Sequence, residues 1–417
     1  MISKSLRQSL KSIKANPVRT VLTTLGIVIG IATVILVLSA GAGFHNIIDS
    51  QLATYGSNTV FIETRVPPTT KSRAASPAAS GFNTAFSGVV ITSLKQRDLN
   101  DIKNLNNIKN DYGIATGSTV VGYRNTEKNV IFYGAGADRF LIDQSTLKSG
   151  RFYTESEDRG ALQVAILGNG LASDLFGQSD PLGQLIHVGS LNFQVVGVYN
   201  PMGSLNGGDD ILYIPLITAQ KKILGIDYMQ LIIAEMNDSK IGNSTAAQIT
   251  SLLAHNHNIS DPDKNDFTVQ TQEQALDTFN VIFNGLTILL IAIAAISLIV
   301  GGVGIMNIMY VTVTERTAEV GLKKALGARN ADILNEFLIE SVLVTILGGI
   351  IGIALGVVLS FIVYLIATAF GLEWAFKVPL YSIALGVVVS GTIGITFGVL
   401  PARSAAKMNP IEALRYE

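Results

Sequence analysis

The sequence predicts a membrane protein of four transmembrane α-helices with a large extracytoplasmic α+β domain inserted between the first and second spans. Three observations carry this expectation. The 417 residues hold Lys+Arg 30 against Asp+Glu 31 and are 48% hydrophobic but only 15% charged, well under the roughly 25% charged residues of soluble domains, and mean hydropathy is +0.42. Four stretches, Thr20 to Ile48, Thr278 to Thr314, Ser341 to Leu372 and Val378 to Ala402, contain no Asp, Glu, Lys or Arg, so the shortage of charge is confined to segments of spanning length. Between the first two of them lies a stretch of ordinary charge density, in which short β-like runs alternate with helical ones. The near-neutral balance gives no support to a nucleic-acid partner. The absence of Cys excludes disulfides, thiolate metal sites and a Cys nucleophile, but identifies no compartment.

Residues 1–17 read as a cytoplasmic N-terminal helix, because Lys4, Arg7, Lys11 and Lys14, followed by Arg19, have no acid among them and basic flanks stay in the cytoplasm. Residues 18–48 are the first span and the start of a stalk. A basic segment before an apolar run also begins a secretory signal, but an h-region runs ~7–15 residues, and the stretch from Val18 to Ala42, interrupted only by Arg19, is longer.

Residues 49–271 form the external domain, with a mobile Pro/Ser/Thr/Ala-rich loop over 64–87 whose composition cannot bury a core. Strands are expected at Ser118–Tyr123, Val130–Tyr133, Gln163–Leu167, Phe193–Tyr199, Ile211–Ile214, Met229–Glu235 and Phe267–Gln270. Helices are expected at Thr92–Lys103 with Thr92 capping, Asn169–Phe176, Thr218–Leu224 and Asn243–Ala254. The size suggests two subdomains.

Residues 272–314 are a second stalk and span: the uncharged run alone would be ~55 Å long as one helix, against a hydrocarbon core of ~30 Å. Residues 315–340, with Arg316, Lys323, Lys324 and Arg329, form the cytoplasmic segment. Residues 341–372 and 378–402 are the third and fourth spans, joined by a short external hairpin, and 403–417 is a basic cytoplasmic tail. The result is a multi-pass protein of the cell (inner) membrane with both termini cytoplasmic. Within the spans, Gly26 and Gly30, then Gly348, Gly352 and Gly356, then Gly394 and Gly398 recur at intervals of four and mark ridges where backbones can approach.

The chemistry of catalysis is missing. No G-x-x-x-x-G-K-[ST] is present, so the chain cradles no nucleotide phosphate. Gly134-Ala135-Gly136 reads as a turn, Asp209-Asp210 as a turn entering a strand, and His255-x-His257 lacks the further ligands a metal needs. Ser145-x-x-Lys148 lacks the partner motifs of a penicillin-binding site. No cofactor is expected in this chain, and no external enzyme site can be assembled.

In the segment between the second and third spans, Glu319 and Lys323 form an i, i+4 pair in the favourable order. Residues 318–326 can form a short helix exposing apolar Val320, Leu322 and Leu326 beside basic Lys323 and Lys324. Gly327 can end it with a positive φ. Asn330 is expected to cap the next helix, with Asp332 in its first turn.

The run ISLIVGGVGIMNIMYVTVTERTAEVGLKKALGARNADILNEFLIE, from Ile296 to Glu340, resembles the signature of the MacB/FtsX-like permeases, the membrane subunits of type VII ABC systems. NPVRTVLTTLGIVIGIATVI near the start, LPARSAAKMNPIEALRYE at the end and GRFYTESEDRGALQVAILGNGLASDLFGQSDPLGQLI in the external domain agree, the last with a MacB-type periplasmic core domain. The resemblance implies a homodimer in the membrane lipid and a porter-like domain with a smaller subdomain. It also implies a separate ABC ATPase subunit that uses Mg-ATP. With few residues before the first span, the ATPase is expected on another chain. Glu315, Arg316, Glu319, Val320, Gly321, Leu322, Lys323, Lys324, Leu326 and Gly327 are then the expected ATPase-coupling residues. Export or extrusion of antibiotics, peptides or lipid-linked molecules is the implied activity. An FtsX-like transducer that regulates an extracytoplasmic cell-wall hydrolase is the alternative, and an adaptor or outer-membrane channel stays open as a further partner.

Overall fold

Apolar character on every side of a long helix demands an apolar surround, and four helices of the computed structural model meet that condition. The structure describes residues 17–54, 56, 58–67, 91–201, 209–370, 372 and 374–415. The expected N-terminal helix, and the expected mobile loop beyond residue 67, lie outside these residues.

The chain starts with α1 (Pro17–Thr54), 38 residues in one helix. Strand β1 (Thr59–Thr64) follows, then α2 (Gln96–Lys103), β2 (Ile108–Tyr123), β3 (Thr126–Ala135), α3 (Arg139–Ile142), β4 (Leu147–Gly150) and α4 (Glu155–Arg159). Next come β5 (Val164–Leu167), α5 (Asn169–Phe176), β6 (Leu185–Val188), β7 (Leu191–Tyr199), β8 (Ile211–Pro215) and α6 (Leu216–Thr218), which a π-helical turn, Ala219–Leu224, continues. Then β9 (Leu231–Met236), α7 (Gly242–Asn256) and β10 (Phe267–Thr271) complete the α+β part. After these run α8 (Gln272–Glu315), α9 (Thr317–Ala325), α10 (Asn330–Ala369), α11 (Leu380–Ala406) and α12 (Pro410–Arg415).

Two compact units result: the described residues of Met1–Ile47, Asn280–Ala369 and Trp374–Glu417, and those of Ile48–Phe279 and Phe370–Glu373. The second unit is one ten-stranded mixed sheet in the order β10-β1-β9-β2-β3-β8-β5-β7-β4, with β6 paired to β2 and β7. Strand β2 is its spine, pairing antiparallel with β9 through its first half and with β3 through its second. One core, with Phe132, Phe193, Leu212 and Ile214, is covered by Leu171, Leu175 and Phe176 of α5. Another, with Val60, Ile62, Ile232 and Phe267, is covered by Ile102 of α2 and by Ile249 and Leu253 of α7. Two smaller clusters, around Tyr199 and Tyr213 and around Tyr112 and Ile233, also pack on the sheet, which runs through the unit without a break.

Several local expectations need correction. The helix expected from Thr92 begins at Gln96 after Lys95, because Lys95 bridges Tyr228 and Leu94 accepts from the Met229 N–H, which keeps the preceding residues extended. Thr64, placed in the loop, is the buried last residue of β1. Gly134 and Ala135 lie in β3 rather than in a turn. There a Cβ on Gly134 would collide with that of Ala219, so glycine at this position serves packing. His257 pairs with Asp266 (Nδ1 to Oδ1 2.8 Å) and Asp98 (Nε2 to Oδ2 3.5 Å), and so joins α2 to the segment after α7. Among the described residues no cluster of His, Asp and Glu is placed to hold a metal ion.

In the helical unit the glycines mark close crossings. A Cβ on Gly26 would lie 2.7 Å from the Cα of Gly301 in α8, and one on Gly30 would meet Leu298 at 2.6 Å. From α10, Gly348 faces Ile27 and Thr24, Gly352 the Val28 carbonyl at 2.9 Å, and Gly356 the Ile35 Cβ at 2.7 Å. From α11, Gly394 and Gly398 sit over Thr345 and Ser341 of α10, and the Ser341 hydroxyl donates to the Gly394 carbonyl at 2.9 Å. Small residues thus let α1 approach α8 and α10, and let α10 approach α11, as packing between apolar helices requires. These ridges are filled within the chain. Phe44 and Phe283 meet with ring centroids 3.9 Å apart and planes tilted by 35° near the other end of this unit, where Trp374 covers Gly43.

Candidate functional site

The segment joining the second and third spans is built from a single break in a helix. Helix α8 ends at Glu315; Arg316 adopts φ −104° and ψ 16°, and α9 restarts at Thr317. The Thr317 hydroxyl donates to the Thr314 and Val313 carbonyls at 2.8 and 3.2 Å, which closes the end of α8. The far end of α9 is a Schellman turn: the N–H of Ala328 reaches the Lys323 carbonyl and that of Gly327 the Lys324 carbonyl, both at 3.0 Å, with Gly327 at φ +97°. Nothing lies within 4 Å of a Cβ placed on Gly327, so the positive φ alone requires glycine there. At the next boundary Asn330 is not the cap. Arg329 takes that position: its carbonyl accepts from the Asp332 and Ile333 N–H groups. Asp332 reaches back to accept from the Arg329 N–H at 3.0 Å, so Asn330 falls inside the first turn of α10.

One face of α9 is held down. Val320 is 2% exposed and packs in the helical core with Met309, Val313, Ile333 and Phe337. Gly321 lies against α12, where an added Cβ would stand 2.8 Å from that of Ala413. Lys324 donates to the carbonyls of Ala406, the last residue of α11, and of Met408 just beyond it, at 2.6 and 2.7 Å. The expectation that Val320 is exposed is thus corrected: α8, α10 and α11 complete a core that periodicity within α9 alone does not reveal.

Charged pairs fix α9 sideways. Lys323 pairs with Glu319 at 3.0 Å and with Glu336 of α10 at 2.8 Å. Burial alone would lower the Lys323 pKa, but the two carboxylates outweigh it and raise it. Arg316 meets the buried Glu340 of α10 at 3.1 Å. Glu336 and Glu340 were missed as members of this site. The signal was their spacing of four at the start of α10, which sets both carboxylates on one face of the helix.

The free face is apolar. Leu322 is 54% and Leu326 81% exposed, four residues apart and on one side of α9. The arrangement is a short helix clamped by ion pairs, seated on two neighbouring helices and showing two leucines.

Four spanning helices, with an α+β domain between the first and second and a seated helix between the second and third, define a multi-pass membrane protein of the permease type. Two family models cover it: the MacB-like periplasmic core domain matches residues 20–252 and the FtsX-like permease C-terminal region matches residues 275–410. The chain belongs to the MacB/FtsX-like permease family. It is 36% identical over 416 residues to the macrolide export ATP-binding/permease protein MacB of Bdellovibrio bacteriovorus, covering 99% of this chain and 61% of that one. To the protein of the same name from Chlorobium phaeobacteroides it is 37% identical, covering 99% and 60%. The chain thus spans about three fifths of the length of these curated relatives. A solved structure of the periplasmic region of MacB from Actinobacillus actinomycetemcomitans aligns with TM-score 0.45 at 22% identity, over 56% of this chain and 97% of that one.

Proposed function

We propose that this chain is the membrane subunit of a MacB-type ABC export system. Mg-ATP hydrolysis by a separate ATPase chain, seated on α9, moves the α+β domain and extrudes substrate. The observation that carries this reading is the continuity of α8, one helix of 44 residues from Gln272, directly after β10, to Glu315, one residue before α9. At ~1.5 Å per residue it is ~66 Å long, about twice the hydrocarbon thickness, so a displacement of α9 reaches the residues beside Thr271 without an intervening loop. Leu322 and Leu326 make the ATPase contact, while Val320, Gly321 and Lys324 hold α9 in place, with Arg316, Lys323 and Glu319 fixing its angle.

The basic residues Lys4, Arg7, Lys11 and Lys14 support a topology with both termini and residues 315–340 in the cytoplasm and the α+β domain outside. The names of the relatives support antibiotics such as macrolides as substrates, with peptides and lipid-linked molecules in the same export class. A second copy of the chain completes the assembly. It meets faces left exposed, since Gly26, Gly352 and Gly394 are occupied within the chain.

Purification of the tagged chain from its native membrane, with identification of what accompanies it, tests the reading. An ABC ATPase in stoichiometric amount is the expected result. Recovery of a cell-wall hydrolase through the α+β domain, without export activity, would replace export by the transducer role, and recovery of no ATPase would end the proposal.

A further inference from the structure

A cavity of about 440 Å³ opens between the start of α10 and the end of α11, lined by Asn330, Ala331, Leu334, Arg403, Ala406 and Lys407. Its two cations are exposed, and among the described residues neither side chain has a carboxylate or hydrogen-bond partner. Asp332 and Glu336, the nearest acids on α10, are engaged elsewhere, with the Arg329 N–H and with Lys323. The cavity therefore pairs two uncompensated positive charges with an apolar wall of Ala331, Leu334 and Ala406.

Its depth relative to the bilayer identifies what fits. Ser341 of α10 and Gly398 of α11 touch, and the uncharged run of α10 starts at that serine. The uncharged run of α11 ends at Ala402, and Arg403 and Lys407 lie one and five residues beyond it, or ~1.5 and ~7.5 Å along the chain, within the ~5–8 Å polar layer outside the hydrocarbon core. Leu400, 54% exposed, precedes Arg403 by three residues and Lys407 by seven, so the three share one face of α11. The stripe thus runs from an apolar side chain at acyl depth to two cations at headgroup depth.

We infer that this cavity binds the phosphate headgroup of an anionic phospholipid, with an acyl chain lying along Leu400. A free phosphate or a nucleotide offers the same charge but nothing for Leu400 and the apolar wall to cover, so the lipid is the ligand the lining favours. The inference rests on α10 and α11 crossing the bilayer and uses neither the ATPase nor its seat on α9.

The test uses the purified 417-residue chain in detergent, without any ATPase, titrated with phosphatidylglycerol or phosphatidylcholine and read by native mass spectrometry. Wild type should retain phosphatidylglycerol at about 25-fold lower concentration than phosphatidylcholine. With each cation worth about 1 kcal/mol toward anionic lipid, or about fivefold, Arg403→Gln with Lys407→Gln should weaken phosphatidylglycerol about 25-fold and leave phosphatidylcholine unchanged. Leu400→Ser should weaken both lipids, and 10 mM inorganic phosphate should displace neither. Equal retention of the two lipids by wild type, undiminished phosphatidylglycerol binding by the double glutamine variant, or displacement by inorganic phosphate would overturn the inference. Unchanged thermal unfolding of the variants serves as the control for folding.

Discussion

Lys324 donates through Nζ to the carbonyl of Ala406 at 2.6 Å, so a residue of α9 closes the end of α11, 82 positions further along the chain. That single ammonium, also bonded to Met408, satisfies carbonyls that a helix end leaves open.

Lys324→Met keeps the stem and removes the donors. Hydrogen bonds from a charged donor are worth about 1.5–3 kcal/mol. The variant should therefore lose roughly that much stability, with hydrogen exchange rising at both Thr317–Ala325 and the last turn of α11. Faster exchange confined to α9 would show that the two ends are independent.

Leu322→Asp with Leu326→Asp should leave insertion and unfolding temperature near wild type, since both side chains face outward, and should abolish ATPase binding or uncouple hydrolysis from export. Val320→Asp should behave differently. It buries an unpaired charge, at a cost of several kcal/mol, so it should reduce folded yield before any coupling can be measured.

Gly26→Ala and Gly352→Ala each drive a Cβ against backbone atoms, 2.7 Å from Gly301 and 2.9 Å from Val28. Overpacking costs about 1–3 kcal/mol, read as a lower unfolding temperature in detergent. Gly285→Ala meets nothing within 4 Å and should stabilise α8 by up to about 1 kcal/mol.

The α+β domain should be firmer in mild acid. Hydrogen bonds to Asp98 and then to Asp266 raise the His257 pKa above 6.5 despite burial. A raised histidine stabilises fully below its unfolded value, and the gain is lost as pH climbs through the folded value. Burial alone would raise Asp98, but hydrogen bonds from His257, the Lys95 N–H and Asn256 lower it below 3.8, so its gain is present above that value and lost as pH falls through the folded one. The pair thus acts most fully between about pH 4 and 6.5. Asp111, whose Oδ2 is buried without a partner, is pushed up to about 7 by burial, against the pull of Lys103. Folding favours its protonated form, so stability falls as pH rises from about 4 to 7. Once the intrinsic pH dependence of exchange is divided out, amide protection in α2 and α7 should be greater at pH 6 than at pH 8. Asp111→Asn and His257→Gln should each flatten the profile; a profile unchanged in both would refute this account.

The spans were legible because apolar runs of spanning length have no competing explanation in this composition. Strands β5, β7 and β8 were also legible, being apolar and buried along most of their length. The first half of β2 was not: Asn110, Asp111, Gly113 and Gly117 break the alternation, and partners more than a hundred residues away in β9 impose the strand. Short β4 and β6 carry no pattern that exceeds a loop's. At the candidate site, the Glu319–Lys323 pair and the positive φ of Gly327 could be read locally. The burial of Val320 and the anchoring of Lys324 could not, since the first depends on α8, α10 and α11 and the second on Ala406 and Met408, which no local periodicity in α9 reports.

Strand β1 lies between β9 and β10, and its partners begin at Leu231 and Phe267. It precedes both of its partners in the chain, so both of its edges stay unsatisfied until nearly the whole domain has followed. Pairing at such sequence separation is slow, and an open edge invites foreign strands. The segment that relieves it, Phe267–Thr271, emerges immediately ahead of the apolar helix that starts at Gln272. Completion of the sheet is thereby timed to the insertion of the second span, and a chain stalled before Leu231 would present β1 as a sticky end to chaperones and proteases.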